Sequence, residues 1–301
     1  KNTGVEFTIS ADPFTGKEFN WHTDLTLSHN KGTFNKIPTA NHRQQQAGNY
    51  QNQIFQMIEG EKLGSFWGYT FAGIWQEDEV NAPFVDANGQ TNGKTNGEVY
   101  KVKPGNSKYV DINKDGVYND ADQGIIGCGQ PTFNWGWNNT FNYKNFDISA
   151  FFQGVFGNEV YNLTNYLGEF YNQAQYNKNS TILDAWRPDH TNTDIPRVTL
   201  DDPNNNIRPS TYYIHNASFV RLKNLKIGYT LPDRITSKLK LKRTYIYLQG
   251  QNLFTITGYN GIDPEVGLQS YSSENRNLDM GVDRGVYPLP RTFTLGVNVN
   301  F

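Results

Sequence analysis

The residues with the clearest chemistry in this 301-residue chain form one run, from Asp111 to Asp122. Ca²⁺ prefers oxygen ligands, and a twelve-residue loop of the EF-hand type supplies them from positions 1, 3, 5, 7, 9 and 12, with glycine at position 6 for the sharp turn. Gly116 stands at position 6 of the run. The spacing therefore predicts a calcium site with these ligands: Asp111, Asn113, Asp115, the carbonyl of Val117, Asn119 and Asp122.

Two features separate this loop from an EF-hand. Position 12 is Asp122 where an EF-hand has a bidentate glutamate, and the flanking pairs Tyr109-Val110 and Ile125-Ile126 are typical of strands. We expect weak affinity, suited to millimolar extracellular calcium, and a structural role in stiffening a long segment. The alternatives are Mg²⁺, or an Asx-rich turn that its own side chains close without a metal.

The elements that must position this loop are predicted by alternating apolar and polar residues. At the end of the chain, Phe293, Leu295, Val297, Val299 and Phe301 share one face, and small polar residues occupy the other. A strand of about 9 to 11 residues with an apolar outer face is what a tilted bilayer crossing requires. The pattern predicts a transmembrane β-strand.

Six further segments alternate in the same way, so we predict seven strands. A slip of one residue between Leu222 and Leu225 predicts a β-bulge. We place turns at Asp12 to Lys17, at Lys144-Asn145 and at Pro232-Asp233. The other six strands lie near 5–11, 19–27, 133–143, 146–152, 225–231 and 244–254.

Connection lengths predict the architecture. Turns are short at one end, whereas long connections of about 30–131, 158–216 and 257–288 lie at the other. Outer-membrane barrels have short periplasmic turns and long extracellular loops. We therefore predict an all-β fold, a transmembrane antiparallel β-barrel. Seven strands are an odd number and too few to close a large barrel, so residues 1–301 should be its C-terminal part.

Composition and motifs argue against several other classes. A net charge of −2 argues against nucleic acid as a partner, and the single cysteine allows no internal disulfide. The chain has no apolar run long enough for a transmembrane helix. Its five histidines lack metalloprotease spacing and no Gly-x-Ser-x-Gly motif occurs, so we predict no enzyme and no catalytic residue. It opens without signal-peptide features, so we expect a trimmed chain or a fragment.

Several short segments, taken in order, resemble one family. They are Asp111 to Gly116, Ala217 to Leu225, Gln251 to Phe254, Asp263 to Glu265 and Pro288 to Arg291. With the strands around them, they look like the C-terminal region of SusC/RagA-like TonB-dependent transporters. The resemblance extends over nearly the whole chain.

The resemblance implies a barrel of 22 strands with a plugged lumen in the outer membrane of Bacteroidetes-type bacteria. It implies import of glycan or peptide oligomers together with a SusD-like surface lipoprotein. The plug and the TonB box are expected in a missing N-terminal region, through which TonB would act. It further implies that the barrel assembly machinery recognises Thr294, Gly296, Val299 and Phe301 in the last strand; the alternative is an ordinary edge strand.

Aromatic residues in the long connections are candidates for contact with substrate or partner. Tyr166, Trp186, Tyr212 and Tyr213 offer large rigid faces with polar tips that suit sugar rings or a protein surface. The alternative is packing within the loops, or an aromatic girdle at the membrane interface.

A second function remains open from the sequence, a soluble secreted module that binds glycans and is stabilised by calcium. The aromatic faces distinguish the two. In a transporter Phe133, Trp135, Trp137 and residues 293–301 face lipid, whereas a sandwich buries them against a second sheet.

Overall fold

The computed structural model describes residues 1–37, 44–46, 53–169, 177–199, 206–267 and 280–300. A seven-stranded antiparallel sheet dominates it, and strands that are neighbours along the chain are neighbours in the sheet. All seven predicted strands are confirmed. They are β1 (Asn2–Thr15), β2 (Phe19–Gly32), β3 (Phe133–Tyr143), β4 (Phe146–Phe156), β5 (Phe219–Thr230), β6 (Arg243–Thr257) and β7 (Thr292–Asn300).

The long connections carry short elements of their own. The helices are α1 (Glu77–Asn81), α2 (Asn96–Tyr100) and α3 (Leu163–Gly168), while α4 (Asp233–Thr236) lies in a turn. The 3₁₀ turns are Asp120–Asp122, Ser180–Asp184, Thr211–Tyr213 and Ser237–Leu239. The short strands are Gln44–Gln46, Gln53–Gln56, Ser65–Tyr69, Phe71–Ile74, Pro83–Val85, Thr91–Thr95, Ser107–Tyr109, Gln123–Cys128, Glu159–Asn162, Ile214–Asn216 and Val282–Asp283. None of the helices in the described ranges has the length and apolar character that a bilayer crossing requires.

One face of the main sheet is apolar and exposed. In β7, Phe293 and Leu295 are 70% and 74% exposed, and Leu295 lies opposite Leu248 of β6, which is also exposed. Trp137 in β3 is exposed too. A sandwich would bury such side chains against a second sheet. Their exposure favours the lipid-facing arrangement over the soluble module.

Two of the three predicted turns have different bounds in the structure. β1 continues through a register shift between Ala11 and Phe14, and its turn begins only at Gly16. Phe14 pairs with Trp21 and its ring lies 5.4 Å from that of Phe19, contacts that extend the hairpin. The connection after β5 occupies residues 231–242, because a helical turn follows Pro232.

The predicted β-bulge is confirmed. Phe151 of β4 pairs with Asn224 and Phe152 pairs with Leu222, so Lys223 is the additional residue of β5. The pairing of β5 with β6 shifts at the same place, between Leu222 and Asn224. The slip in the sequence pattern therefore corresponds to a bulge that shifts the pairing of β5 with both β4 and β6.

The main buried core lies in the connections rather than on the sheet. One cluster draws its residues from all three long connections, 33–132, 157–218 and 258–291, so the three pack against one another. We call this cluster the loop core. Its members are Ile54, Phe55, Phe66, Tyr161, Leu163, Ile207, Tyr213 and Val282.

Candidate functional site

The predicted calcium loop is held at both ends by short strands. The strand Ser107–Tyr109 precedes it and pairs with Phe71–Ile74. The strand Gln123–Cys128 follows it and pairs with Ser65–Tyr69. The expectation of strands rather than helices around this loop is confirmed, so the loop lies outside the helix-loop-helix arrangement.

Inside the loop, side-chain oxygens accept hydrogen bonds from backbone amides that lie two or five residues further along the chain. The Asp111 Oδ2 accepts from the Gly116 amide at 2.8 Å, and the Asn113 Oδ1 accepts from the Asp115 amide at 3.1 Å. The Asp115 Oδ1 accepts from the Val117 amide at 2.8 Å. Gly116 has a φ of 84°, a conformation that glycine adopts without strain. The loop therefore turns sharply at its sixth position.

The last part of the loop is closed by its own donors. The Asp122 carboxylate accepts from the amides of Ile112 at 2.9 Å and Asn119 at 3.0 Å. The Asn119 amide group donates to the Val117 carbonyl at 3.3 Å. All six predicted ligands thus accept hydrogen bonds within the loop, as the Asx-turn alternative expects.

One oxygen of the loop is buried and lacks a hydrogen-bond donor. It is the Asp111 Oδ1, at the first position. Within the described ranges, no group of three or more His, Cys, Asp or Glu side chains is placed to hold a metal ion. The donor set and Asp111 suit a hard cation, but full coordination would require Asp122 to exchange amide partners for the ion.

A neighbouring tyrosine fixes the other Asp111 oxygen. The Tyr100 hydroxyl donates to the Asp111 Oδ2 at 2.8 Å. Burial, followed by the contact with Asp111, raises the pKa of Tyr100 far above its ordinary value, and burial raises the pKa of Tyr118 to about 12. Both phenols therefore remain protonated at neutral pH, so Tyr100 always donates to this carboxylate.

Two of the four aromatic candidates are packed inside the connections. Tyr213 is 1% exposed and belongs to the loop core. Trp186 is also buried, and its Nε1 donates to the Gln76 Oε1 at 3.0 Å. These positions correspond to the loop-packing alternative.

The other two candidates are half-buried. The ring of Tyr166 lies 5.4 Å from that of Tyr213, and the Tyr212 hydroxyl donates to the Glu169 Oε2 at 2.8 Å. Burial raises the pKa of Glu169, although hydrogen bonds from Tyr212 and Thr181 oppose the rise. Tyr166 and Tyr212 both pack against the loop core and are the two candidates that remain partly exposed.

Sequence reasoning missed a buried ion-pair network. Arg221 of β5, 2% exposed, contacts Asp263 at 2.6 Å and Glu265 at 2.8 Å, and its Nε donates to the Thr255 hydroxyl. Lys223 also contacts Glu265, at 2.7 Å. The available signal was an arginine between apolar residues in β5, together with two acids in a late loop.

This network fixes the third connection to the sheet. The Asp263 carboxylate also accepts from the amides of Glu265 at 2.9 Å and Leu289 at 3.2 Å. Burial alone would raise the pKa of Asp263, but hydrogen bonds from Glu265, Arg221 and Leu289 lower it below its ordinary value. Asp263 therefore joins β5 to both ends of the connection at neutral pH.

The final strand contains three of the four residues of the predicted assembly signal. Thr294, Gly296 and Val299 lie in β7, and Phe301 lies outside the described residues. Gly296 pairs with Tyr247 of β6, and a Cβ at position 296 would overlap the tyrosine ring. The glycine therefore makes room for an aromatic side chain of the neighbouring strand.

The fold defines a class before any relative is considered. Amphipathic antiparallel strands in chain order, joined by short turns at one end and long folded connections at the other, form the wall of a transmembrane β-barrel. In the described part of the chain, the sheet ends at β1 and β7 without closing.

Comparison with known proteins identifies the family that this wall resembles. The chain is 35% identical over 304 residues to TonB-dependent receptor P3 of Formosa agariphila, covering 100% of this chain and 29% of the relative. It is 26% identical over 305 residues to TonB-dependent receptor SusC of Bacteroides thetaiotaomicron, covering 100% and 26%. The resemblance to SusC/RagA-like TonB-dependent transporters is thereby confirmed, and these relatives are receptors rather than enzymes.

A solved structure agrees on the fold. The RagAB peptide transporter matches 100% of this chain and 29% of its own, with a TM-score of 0.72 and 24% identity. No family model matches the chain. The chain spans under a third of the length of the curated relatives it matches.

Proposed function

We propose that this chain supplies barrel wall and loops to an outer-membrane, TonB-dependent importer of oligomeric nutrients, glycan or peptide. The observation that carries the proposal is the exposed apolar face, with Phe293 and Leu295 in β7 and Leu248 in β6. Such a face is stable in lipid and costly in water, because about 25 cal/mol is lost for each Å² of apolar surface left hydrated. Similarity to TonB-dependent receptors over the whole chain supports the same conclusion.

The proposal includes partners. Similarity to SusC supports a SusD-like surface lipoprotein on the side of the long connections, and TonB acting through a part of the protein outside this sequence. Among the aromatic candidates, we assign contact with substrate or lipoprotein to the half-buried Tyr166 and Tyr212. Trp186 and Tyr213 pack inside the connections and support the loops that carry Tyr166 and Tyr212.

Membrane fractionation and uptake test this function. The full-length protein is expected in the outer membrane, and its deletion is expected to abolish growth on one class of oligomer while growth on the monomer persists. Labelled oligosaccharides and peptides, offered separately with and without TonB, identify the class. A protein found only in the aqueous fraction, or uptake that is independent of TonB, would refute the proposal.

We further propose that the loop from Asp111 to Asp122 binds Ca²⁺ as a structural ion. The support is the buried, unsatisfied Asp111 Oδ1 and the sharp turn at Gly116. The ion would take oxygens from Asp111, Asn113, Asp115, Val117, Asn119 and Asp122, with Asp122 turning away from the amides of Ile112 and Asn119. It would stiffen the first long connection.

Terbium luminescence and thermal unfolding with and without chelator test the calcium proposal. Ca²⁺ at millimolar concentration is expected to protect the connection from protease, and Asp111→Asn is expected to weaken binding about tenfold or more because it removes a ligand charge. Asp86→Asn is the matched control, since Asp86 closes an Asx turn elsewhere in the same connection. If both variants bound terbium equally well, the calcium proposal would be wrong and the loop would be a turn without a metal.

We also propose that β7 carries the assembly signal, with Thr294, Gly296, Val299 and Phe301. Support comes from the position of β7 at one edge of the sheet in the described part of the chain, since an edge strand can pair with a further strand. Deleting Phe301 is expected to slow assembly in the outer membrane. Unchanged assembly kinetics would favour an ordinary edge strand.

A further inference from the structure

The turn between β5 and β6 carries a concentration of positive charge. Five exposed basic residues lie between positions 234 and 243, and Asp233 is the one acid in the stretch 231–243. The basic residues are Arg234, Lys238, Lys240, Lys242 and Arg243. The other two turns that the structure describes at this end, residues 16–18 and 144–145, contain no comparable run.

Backbone hydrogen bonds hold the path of this turn, so the basic residues start from a defined backbone. The Thr236 amide donates to the Pro232 carbonyl at 3.2 Å, and the Leu241 amide donates to the Thr236 carbonyl at 2.9 Å. Lys240 closes the helical turn with a φ of 58°. The Lys242 amide donates to the Asn300 carbonyl at 2.9 Å, which ties the turn to β7.

The turn covers the end of the apolar face. Thr244 shares that face with Ile246 and Leu248, yet it is buried whereas they are exposed. Helix α4 contacts the start of β6, and its Thr236 is fully buried. The turn therefore lies over the apolar side of the sheet, where Ile235 remains 45% exposed.

The charges of this turn are not neutralised by the described residues. None of the five basic side chains has a carboxylate within ion-pair distance in the parts of the chain that the structure describes. At the neighbouring turn, by contrast, Lys144 pairs with Glu18 at 3.3 Å. Arg243 points to the opposite face, where it lines a polar cavity with Asp147 and Tyr245. Four exposed basic residues, Arg234, Lys238, Lys240 and Lys242, remain in the turn itself.

We propose that Arg234, Lys238, Lys240 and Lys242 bind the headgroup of an anionic phospholipid in the periplasmic leaflet, with Ile235 against the start of its acyl chains. The assignment of this end to the periplasm rests on the proposed function. Arginine and lysine near a membrane surface attract anionic lipid, and phosphate suits the guanidinium fork. An acidic protein is the less favoured partner, because the patch continues the apolar face and adds an exposed isoleucine to its charges.

The test uses the full-length protein purified from outer membranes in detergent and titrated with fluorescent phosphatidylglycerol or phosphatidylcholine. The test variant carries Arg234→Gln, Lys238→Gln and Lys242→Gln. The matched control replaces Lys94, Lys101 and Lys103 by Gln, three exposed lysines in the first long connection. Each basic residue is worth about fivefold in affinity at an anionic surface. We expect the triple variant to lose between about tenfold and a hundredfold for phosphatidylglycerol, and the control less than about twofold.

Equal affinity for the two lipids, or an unchanged affinity in the triple variant, would overturn the proposal. Lys238→Glu alone provides a milder version if the triple variant assembles poorly. A photo-crosslinker at position 238 that labels a periplasmic protein instead of lipid would also overturn it. Fractionation separates this failure from failure of the proposed function, because a protein that reaches the outer membrane yet shows no lipid preference contradicts only this inference.

Discussion

Replacing Asp263 by asparagine is expected to release the third long connection from the sheet. The change keeps the size of the side chain and one oxygen for the backbone amides, but it removes the charge that faces Arg221 at 2.6 Å. Arg221 is almost fully buried, so water cannot replace the lost carboxylate. The guanidinium retains Glu265 and Thr255, which limits the loss.

The loss of stability depends on which contacts Arg221 loses and which it keeps. Removing one partner of a buried ion pair costs about 3–5 kcal/mol. Because Glu265 still contacts Arg221 at 2.8 Å, we expect the low end, about 3 kcal/mol. At about 1.4 kcal/mol for each factor of ten, local opening of the connection should become on the order of a hundredfold more frequent.

Hydrogen exchange of the Leu289 amide measures this opening, since that amide donates to the Asp263 carboxylate. Asp189→Asn is the control, because Asp189 is 85% exposed and lies 3.7 Å from Arg187; a surface pair of this kind contributes little. If Leu289 exchanged at the same rate in both variants, the ion pair would not be what fixes this connection.

Two further predictions concern packing and pH. Gly296→Ala should displace the Tyr247 ring and lower the stability by about 1–3 kcal/mol through overpacking, which a gel-shift assay would detect as a lower unfolding temperature. Gly258→Ala is the control, because Gly258 has open space around it and the change should leave the unfolding temperature as it is. Equal changes of unfolding temperature in the two variants would contradict the packing argument. Burial lowers the pKa of His215, so the unfolded state binds its proton more readily. The stability of the connections around His215, whose ring lies 6.1 Å from that of Tyr259, should therefore be complete above the ordinary pKa of 6.5 and fall as pH drops through it, by at most about 1.4 kcal/mol per pH unit. His215→Gln should flatten that fall in a proteolysis series, and an unchanged slope would exclude His215 as its source.

The strands could be predicted because their signal is local. Alternation in β3 and β7 requires only that successive side chains point to opposite faces, and a slip in that alternation revealed the bulge at Lys223. The ends of the β1 hairpin and the helical turn after Pro232 were missed, because cross-strand aromatic contacts and helix formation overrode the turn residues.

The candidate site was predictable only in part. The spacing of the loop from Asp111 to Asp122 indicated both the oxygen donors and the turn at Gly116. It did not indicate that the same oxygens would accept hydrogen bonds from backbone amides of the loop, as the Asp122 carboxylate does from Ile112 and Asn119. The pairing of Arg221 with Asp263, 42 residues away, depends on how the third connection folds back, which no local pattern records.

The unequal connections also set an order of events. Closing a loop costs about 1.5RT ln n, so the connection 33–132 costs roughly 3 kcal/mol more than a turn of a few residues. Hairpins joined by short turns, such as β3 with β4, should therefore form early, and the join between β2 and β3 should form late. The loop core repays that late cost by burying residues from all three connections at once. The pairing of strands that are joined by long connections and the formation of the loop core should thus occur in one cooperative kinetic step.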